Sequence, residues 1–124
     1  MNDANTILIV DDDSRNIFAL MALLKVKGYR CVSATSAKEG LQALSGNNPI
    51  GIVLLDMMMP DMDGYEALAL LKADEKLKDI PVVAVTAQAM VGDREKCLQA
   101  GADQYLSKPV DVDALLQLLN KYLK

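Results

Sequence analysis

Three carboxylates in succession, Asp11, Asp12 and Asp13, follow an apolar run at 7–10, and a second apolar run at 52–55 ends in Asp56. If both runs are buried strands, their carboxylates meet at one edge of a sheet. Two carboxylates held about 4 Å apart repel by roughly 1 kcal/mol in water and about 4 kcal/mol at an effective dielectric near 20. A group of this kind takes up a proton or binds a cation. A later run, Gln104-Tyr105-Leu106-Ser107, is followed by Lys108 and Pro109, which brings a fixed positive charge to the same edge. Three acids, a lysine and room for a hard, oxygen-seeking cation predict a site that handles phosphoryl groups.

These residues must be positioned by the elements that precede them. Short runs rich in Val, Ile and Leu alternate with amphipathic stretches, the pattern of a parallel sheet with crossover helices, and five such units are predicted. Strand one is Thr6 to Val10. The first helix starts near Ser14, places Ile17, Leu20, Met21 and Leu24 on one face, and ends at Gly28. Strand two, Arg30 to Ala34, leads into Ser36 and Glu39, a capping-box pair opening a helix to about Leu44. Gly46-Asn47-Asn48-Pro49 is turn chemistry before strand three, Gly51 to Leu55.

Asp63 and Glu66 have cap spacing for the third helix. Strand four is Val82 to Val85, closed by Thr86. Helix four, from about Val91 to Ala100, carries the consecutive charges Asp93, Arg94, Glu95 and Lys96 and is expected to be the loosest. Strand five runs from Gln104 to Ser107. Val112, Leu115, Leu116, Leu119, Tyr122 and Leu123 line the last helix, and Leu118 widens that stripe enough to suggest a monomer or weak dimer. In an open doubly wound sheet, ligands bind outside the carboxyl ends of the strands, where the strand order reverses. Asp11, Asp12, Asp56, Thr86 and Lys108 all follow or close a predicted strand at that end.

The 124 residues, 52% hydrophobic and 24% charged, fit one domain over 1–124 with one core. Seventeen acids against 13 bases give a net charge of -4, which argues against direct binding to nucleic acid or an anionic membrane. No apolar stretch approaches the roughly 18 residues of a membrane span, and the segment Met1-Asn2-Asp3-Ala4-Asn5 lacks the basic-then-apolar order of a signal peptide, so a cytoplasmic location is expected. Cys31 and Cys97 are expected as reduced, buried structural thiols, with a regulatory disulfide as the alternative. The chain has no histidine, which excludes imidazole bases, His-ligated zinc and an internal phosphohistidine.

The strings ILIVDDD at 7–13, VLLDMMMPDMDGYE at 53–66, VVAVTA at 82–87 and GADQYLSKP at 101–109 resemble the receiver domain of two-component response regulators, over essentially the whole chain. The resemblance implies a flavodoxin-like (βα)5 fold, a doubly wound parallel sheet in the order 2-1-3-4-5. It implies Asp56 as phosphoacceptor, Mg²⁺ held by Asp12, by Asp11 through water, by Asp56 and by the backbone carbonyl of Met58, and Thr86 and Lys108 as partners of the phosphoryl oxygens. Backbone N–H groups near Met57 and Ala87 are further candidate donors.

Thr86 and Tyr105 are the implied switch pair, altering the surface of helix four, strand five and helix five. The implied partners are a histidine kinase or a histidine phosphotransfer protein and a downstream protein target, as a hybrid-kinase receiver or a stand-alone regulator. A cis Lys108-Pro109 bond is also implied. Asp56 would take one phosphoryl group and lose it slowly, without enzymatic turnover. Met58 and Gln88, at positions that influence hydrolysis in the family, are not acidic.

Other readings weigh against individual residues. Asp13 is expected only to cap the first helix, Asp61 and Asp63 to serve turn and cap roles, and Asn16 to be a solvated helix residue. Asp61-Met62-Asp63-Gly64 superficially matches a phosphatase motif, but such a motif follows its strand directly, and here Asp56 does. The methionines at 57–59 and 62 have no Cys or His beside them and are expected to pack. Tyr105 as plain packing and Lys108 as a surface lysine are the bland alternatives for those two. At the level of function, the alternative is a receiver-like interaction module that does not switch by phosphate.

Overall fold

A computed structural model describes residues 5–46, 49–59, 62–87 and 92–123. The expectations for residues 1–4, for Asn47 and Asn48, for Asp61, for Gln88 and for Val91 as a helix start lie outside the described residues. Five strands and five helices alternate among the described residues: β1 (Thr6–Val10), α1 (Ser14–Val26), β2 (Arg30–Ala34), α2 (Ala37–Leu44), β3 (Ile50–Asp56), α3 (Gly64–Ala73), β4 (Val82–Thr86), α4 (Asp93–Gln99), β5 (Gln104–Ser107) and α5 (Val112–Tyr122). All strand pairs are parallel and the order is β2-β1-β3-β4-β5, the flavodoxin-like arrangement the resemblance implied.

The central strands β1, β3 and β4 are apolar because helices cover both of their faces, whereas the edge strands β2 and β5 are only partly buried. Alternate residues face opposite layers. Leu8, Val10, Val53 and Leu55 pack against α2, α3 and Cys97 of α4, while Ile7, Ile9, Ile52 and Leu54 pack against Ile17 and Leu24 of α1 and Leu115 and Leu119 of α5. Cys97 is buried in the first layer as expected, but Cys31, on the edge strand β2, is only partly buried against the second, so the two free thiols lie on opposite sides of the sheet.

Local chemistry sets the helix ends. Asp13, Ser36, Asp63 and Asp111 cap α1, α2, α3 and α5 with their side-chain oxygens. Gly28 takes φ 92° immediately after the last turn of α1, as a glycine past a helix end does.

Three details differ from the sequence reading. Strand three is longer at both ends, because Ile50 and Asp56 join the ladder. Within the described residues α4 begins at Asp93 and stops at Gln99. Val112, expected to line α5, is exposed: it is the first residue of that helix, and burial begins with Leu115. Leu118, which widens the apolar stripe of α5, is partly buried against the core of its own chain.

Candidate functional site

The strand order reverses between β1 and β3, and their register decides what meets there. Val10 pairs with Leu55, Asp56 with Val85, and Thr86 with Ser107, so Asp11, Asp56, Thr86 and Lys108 end four neighbouring strands at nearly one level. Asp11, Asp56 and Thr86 are buried at 3%, 4% and 3% exposure, and Asp12 is exposed at the rim. Carboxylate oxygens of Asp11, Asp12 and Asp56 lie within 4.8 Å of one another. Lys108 Nζ sits 3.0 Å from Asp11 Oδ2 and 3.5 Å from Asp56 Oδ2. The structure thus brings together the acids and the lysine picked out in the sequence.

The backbone around these groups is held tightly. Lys108 N–H donates to the Thr86 carbonyl at 2.8 Å, which ties β5 to β4 one step beyond the paired residues, and the Lys108-Pro109 bond is cis. After Asp56, Met57 is buried and its N–H donates to the Val85 carbonyl, while Met58 N–H turns back to Asp56 Oδ1 at 3.0 Å. Of the N–H groups near Met57, that of Met57 itself is consumed by the sheet, and that of Met58 faces the carboxylate. The Met58 side chain points out, 51% exposed. Gly64 N–H closes the loop onto the Met57 carbonyl, and a Cβ on Gly64 would lie 2.6 Å from Met57 Cα, so only glycine permits that approach.

Asn16 was missed. Rather than being solvated, its Nδ2 donates to Asp11 Oδ2 at 2.7 Å, while Asp13 N–H donates to Asp11 Oδ1 at 2.9 Å. Both oxygens of Asp11 are therefore oriented. The available signal was position: side chains of a first helical turn lean toward the helix start, and Asn16 is the third residue of α1.

Tyr105 lies away from the acidic edge. It pairs with Ala84, two residues before the Thr86–Ser107 pair, so Thr86 and Tyr105 share a face, and its hydroxyl donates to Asp93 Oδ2 of α4 at 3.0 Å. A largely apolar groove of about 990 Å³ between α1 and β2, lined by Ile17, Phe18, Met21 and Cys31, contains none of the acids.

The electrostatics follow from burial and crowding. Burial pushes the Asp56 carboxyl above the usual carboxylate range; the Met58 N–H opposes this, the Asp11 charge adds to it, and Lys108 offsets part of it. Burial alone would lower Lys108, but its bond to Asp11 and the charge of Asp56 outweigh that cost and raise it. Three carboxylates against one ammonium leave two negative charges, which a divalent cation neutralises. The donor set fits Mg²⁺: among the described residues the cluster offers only oxygen, with no thiolate or imidazole.

An open doubly wound sheet with a cation-ready acidic pocket at its switch point defines a flavodoxin-like α/β binding protein. The model of the response regulator receiver domain matches residues 7–120, so the chain belongs to the receiver-domain family of two-component response regulators. It is 36% identical over 118 residues to the polar-differentiation response regulator DivK of Brucella ovis, covering 95% of each chain. A response regulator receiver protein from Pseudomonas putida superposes with a TM-score of 0.87 at 30% identity, covering 94% of this chain and 95% of that one. The receiver domain of a sensor histidine kinase from Pseudomonas aeruginosa, solved with a magnesium ion in its active-site cleft, gives 0.85 at 33% identity over 96% and 97% of the two chains. No helix among the described residues is long and apolar enough to cross a membrane.

Proposed function

We propose that the chain is a phosphorylation-dependent switch in which Asp56 accepts a phosphoryl group from a partner's phosphohistidine. The chain has no histidine of its own, so the donor is a histidine kinase or a histidine phosphotransfer protein. The carboxylate oxygen of Asp56 forms the new bond to phosphorus as the bond from phosphorus to the imidazole nitrogen breaks. An ionised aspartate needs no general base for this. The carrying observation is Lys108 held between Asp11 and Asp56 beside an all-oxygen cluster.

Asp11, Asp12, Asp56 and the Met58 carbonyl are the residues that would hold Mg²⁺, with Asp11 reaching it through water. Bound there, Mg²⁺ supplies charge neutralisation for the phosphoryl oxygens. Lys108 and the Thr86 hydroxyl then hold the transferred group, joined by the Met58 N–H once the phosphoryl oxygens replace Asp56 Oδ1 as its acceptor. Drawing Thr86 toward the phosphoryl group frees Tyr105 to turn, and the α4, β5 and α5 surface that a downstream protein reads is changed. Inverting a 1:99 balance requires about 5.5 kcal/mol, which two or three charge-assisted bonds supply.

The chain serves as a single-turnover acceptor. Met58 is exposed and non-acidic and offers no base to an attacking water, which favours slow self-hydrolysis. Incubation with Mg²⁺ and a small acyl phosphate, read by intact mass, tests the assignment. One phosphoryl group is expected on the native chain and none on Asp56→Asn. Phosphate that persists on that variant places the acceptor elsewhere, and a native chain that gains none points to a module that signals without phosphate.

A further inference from the structure

The helix α4 is weakly anchored by the usual means. It is seven residues long, buries only Cys97, and is preceded at the N-cap by Gly92, whose φ of 84° is left-handed and which supplies no side-chain cap. Polar contacts take over that task. From β5, the Tyr105 hydroxyl donates to Asp93 Oδ2 at 3.0 Å; from α3, the Tyr65 hydroxyl lies 3.6 Å from Cys97 Sγ, and Lys96 Nζ lies 4.7 Å from the centre of the Tyr65 ring. Burial, with Asp93 as acceptor, pushes the Tyr105 phenol up to about 12, so it stays a donor at neutral pH.

We infer that Asp93 is a positioning residue for the switch: its carboxylate clasps the Tyr105 ring to the first turn of α4 and so sets the resting bias against taking a phosphoryl group at Asp56. The inference rests on the reading of Thr86 and Tyr105 as a coupled pair. The single phenolic proton of Tyr105 that is given to Asp93 fixes the hydroxyl at α4, and a ring turned toward Thr86 along the shared face of β4 and β5 leaves that acceptor behind. A bond to an ionised acceptor is stronger than one between neutral groups. When it exists in one state only, it shifts the balance toward that state. Coupling is reciprocal, so whatever holds Tyr105 at α4 weakens binding at Asp56, about 20 Å or less away through one sheet.

Beryllium trifluoride, a noncovalent phosphoryl analogue, provides an equilibrium test when titrated with Mg²⁺ into the full chain by calorimetry. Asp93→Ala is expected to bind it about tenfold more tightly, or about 1.4 kcal/mol. Tyr105→Phe is expected to do the same, and the double variant to gain little further, because the Tyr105 bond is what the two changes share; Asp93 also faces the Tyr65 hydroxyl, and Tyr65→Phe, which leaves the Tyr105 bond in place, is expected not to tighten binding. Asp93→Asn, which keeps an oxygen acceptor without the charge, falls between. A merely structural role predicts weaker binding, the opposite sign. Unchanged or weaker binding in both Asp93 variants, with the native chain binding normally, overturns the clasp and leaves the phosphoacceptor reading standing; a native chain that binds no analogue overturns both.

Discussion

At the level of single residues, the site is a balance between burial and charge, and Asp56 carries the imbalance. Its carboxyl is raised from 3.8 by burial first and by Asp11 in addition, so between that value and its folded pKa the native state holds more protons than the unfolded chain. Stability in metal-free buffer therefore falls as pH rises through that window. Denaturation in a chelator is expected to show the slope, and Asp56→Asn to flatten it while stabilising the metal-free protein by about 1 kcal/mol. Lys108 acts at the other end of the scale: raised above 10.5, it contributes stability that is complete below that value and lost as pH climbs through its folded pKa. Asn16 is the quieter partner. With its amide on Asp11 Oδ2, Asn16→Ala is expected to weaken Mg²⁺ binding about tenfold while leaving the fold intact, as measured by titration calorimetry. The acids and Lys108 were legible in the sequence because each ends a run of apolar residues. Asn16 was not, because its partner is defined by the direction of a helical side chain toward a strand end.

At the level of elements, the loop between β3 and α3 and the helix α4 behave differently. The two ends of the loop are held together by Gly64 against Met57, and Met57 is held by its bond to Val85. Gly64→Ala drives a methyl into the backbone that carries Asp56, and a loss of about 1 to 3 kcal/mol is expected by chemical denaturation, together with slower phosphorylation. The helix α4 is the reverse case, with Cys97 as its one buried side chain. Its four consecutive charges marked it in the sequence as the polar member of the set. What the sequence did not reveal is that one of those charges, Asp93, accepts from Tyr105, since nothing distinguishes it from its neighbours until β5 is laid beside it. Likewise Val112 carried the right spacing for a core position but, as the first residue of α5, stays exposed.

At the level of the whole molecule, the pocket opposes its own folding until the charge is met. Two surplus negative charges lie at the switch point of a sheet whose two apolar layers cannot yield. Mg²⁺ that binds only the native state stabilises it by mass action, about 2.7 kcal/mol at a hundredfold excess over Kd. Thermal unfolding is expected to shift upward with Mg²⁺ in the native chain and to shift much less in Asp12→Asn, which retains the buried pair but loses the exposed ligand. An equal shift in both would remove Asp12 from the metal set.

The alternation of apolar runs and amphipathic stretches was sufficient to determine five βα units, because a strand buried on both faces must be continuously apolar and a crossover helix must be apolar on one side. It also placed each chemical residue at a strand end. Which ends are adjacent was beyond that alternation and was implied only by the resemblance, whose order 2-1-3-4-5 the sheet has. Parallel strands distant in sequence find their neighbours through long-range packing, and only that packing set Asp11 beside Asp56, slid Lys108 between them, and turned Asn16 and Asp93 from surface polar residues into the hydrogen-bond partners of Asp11 and Tyr105.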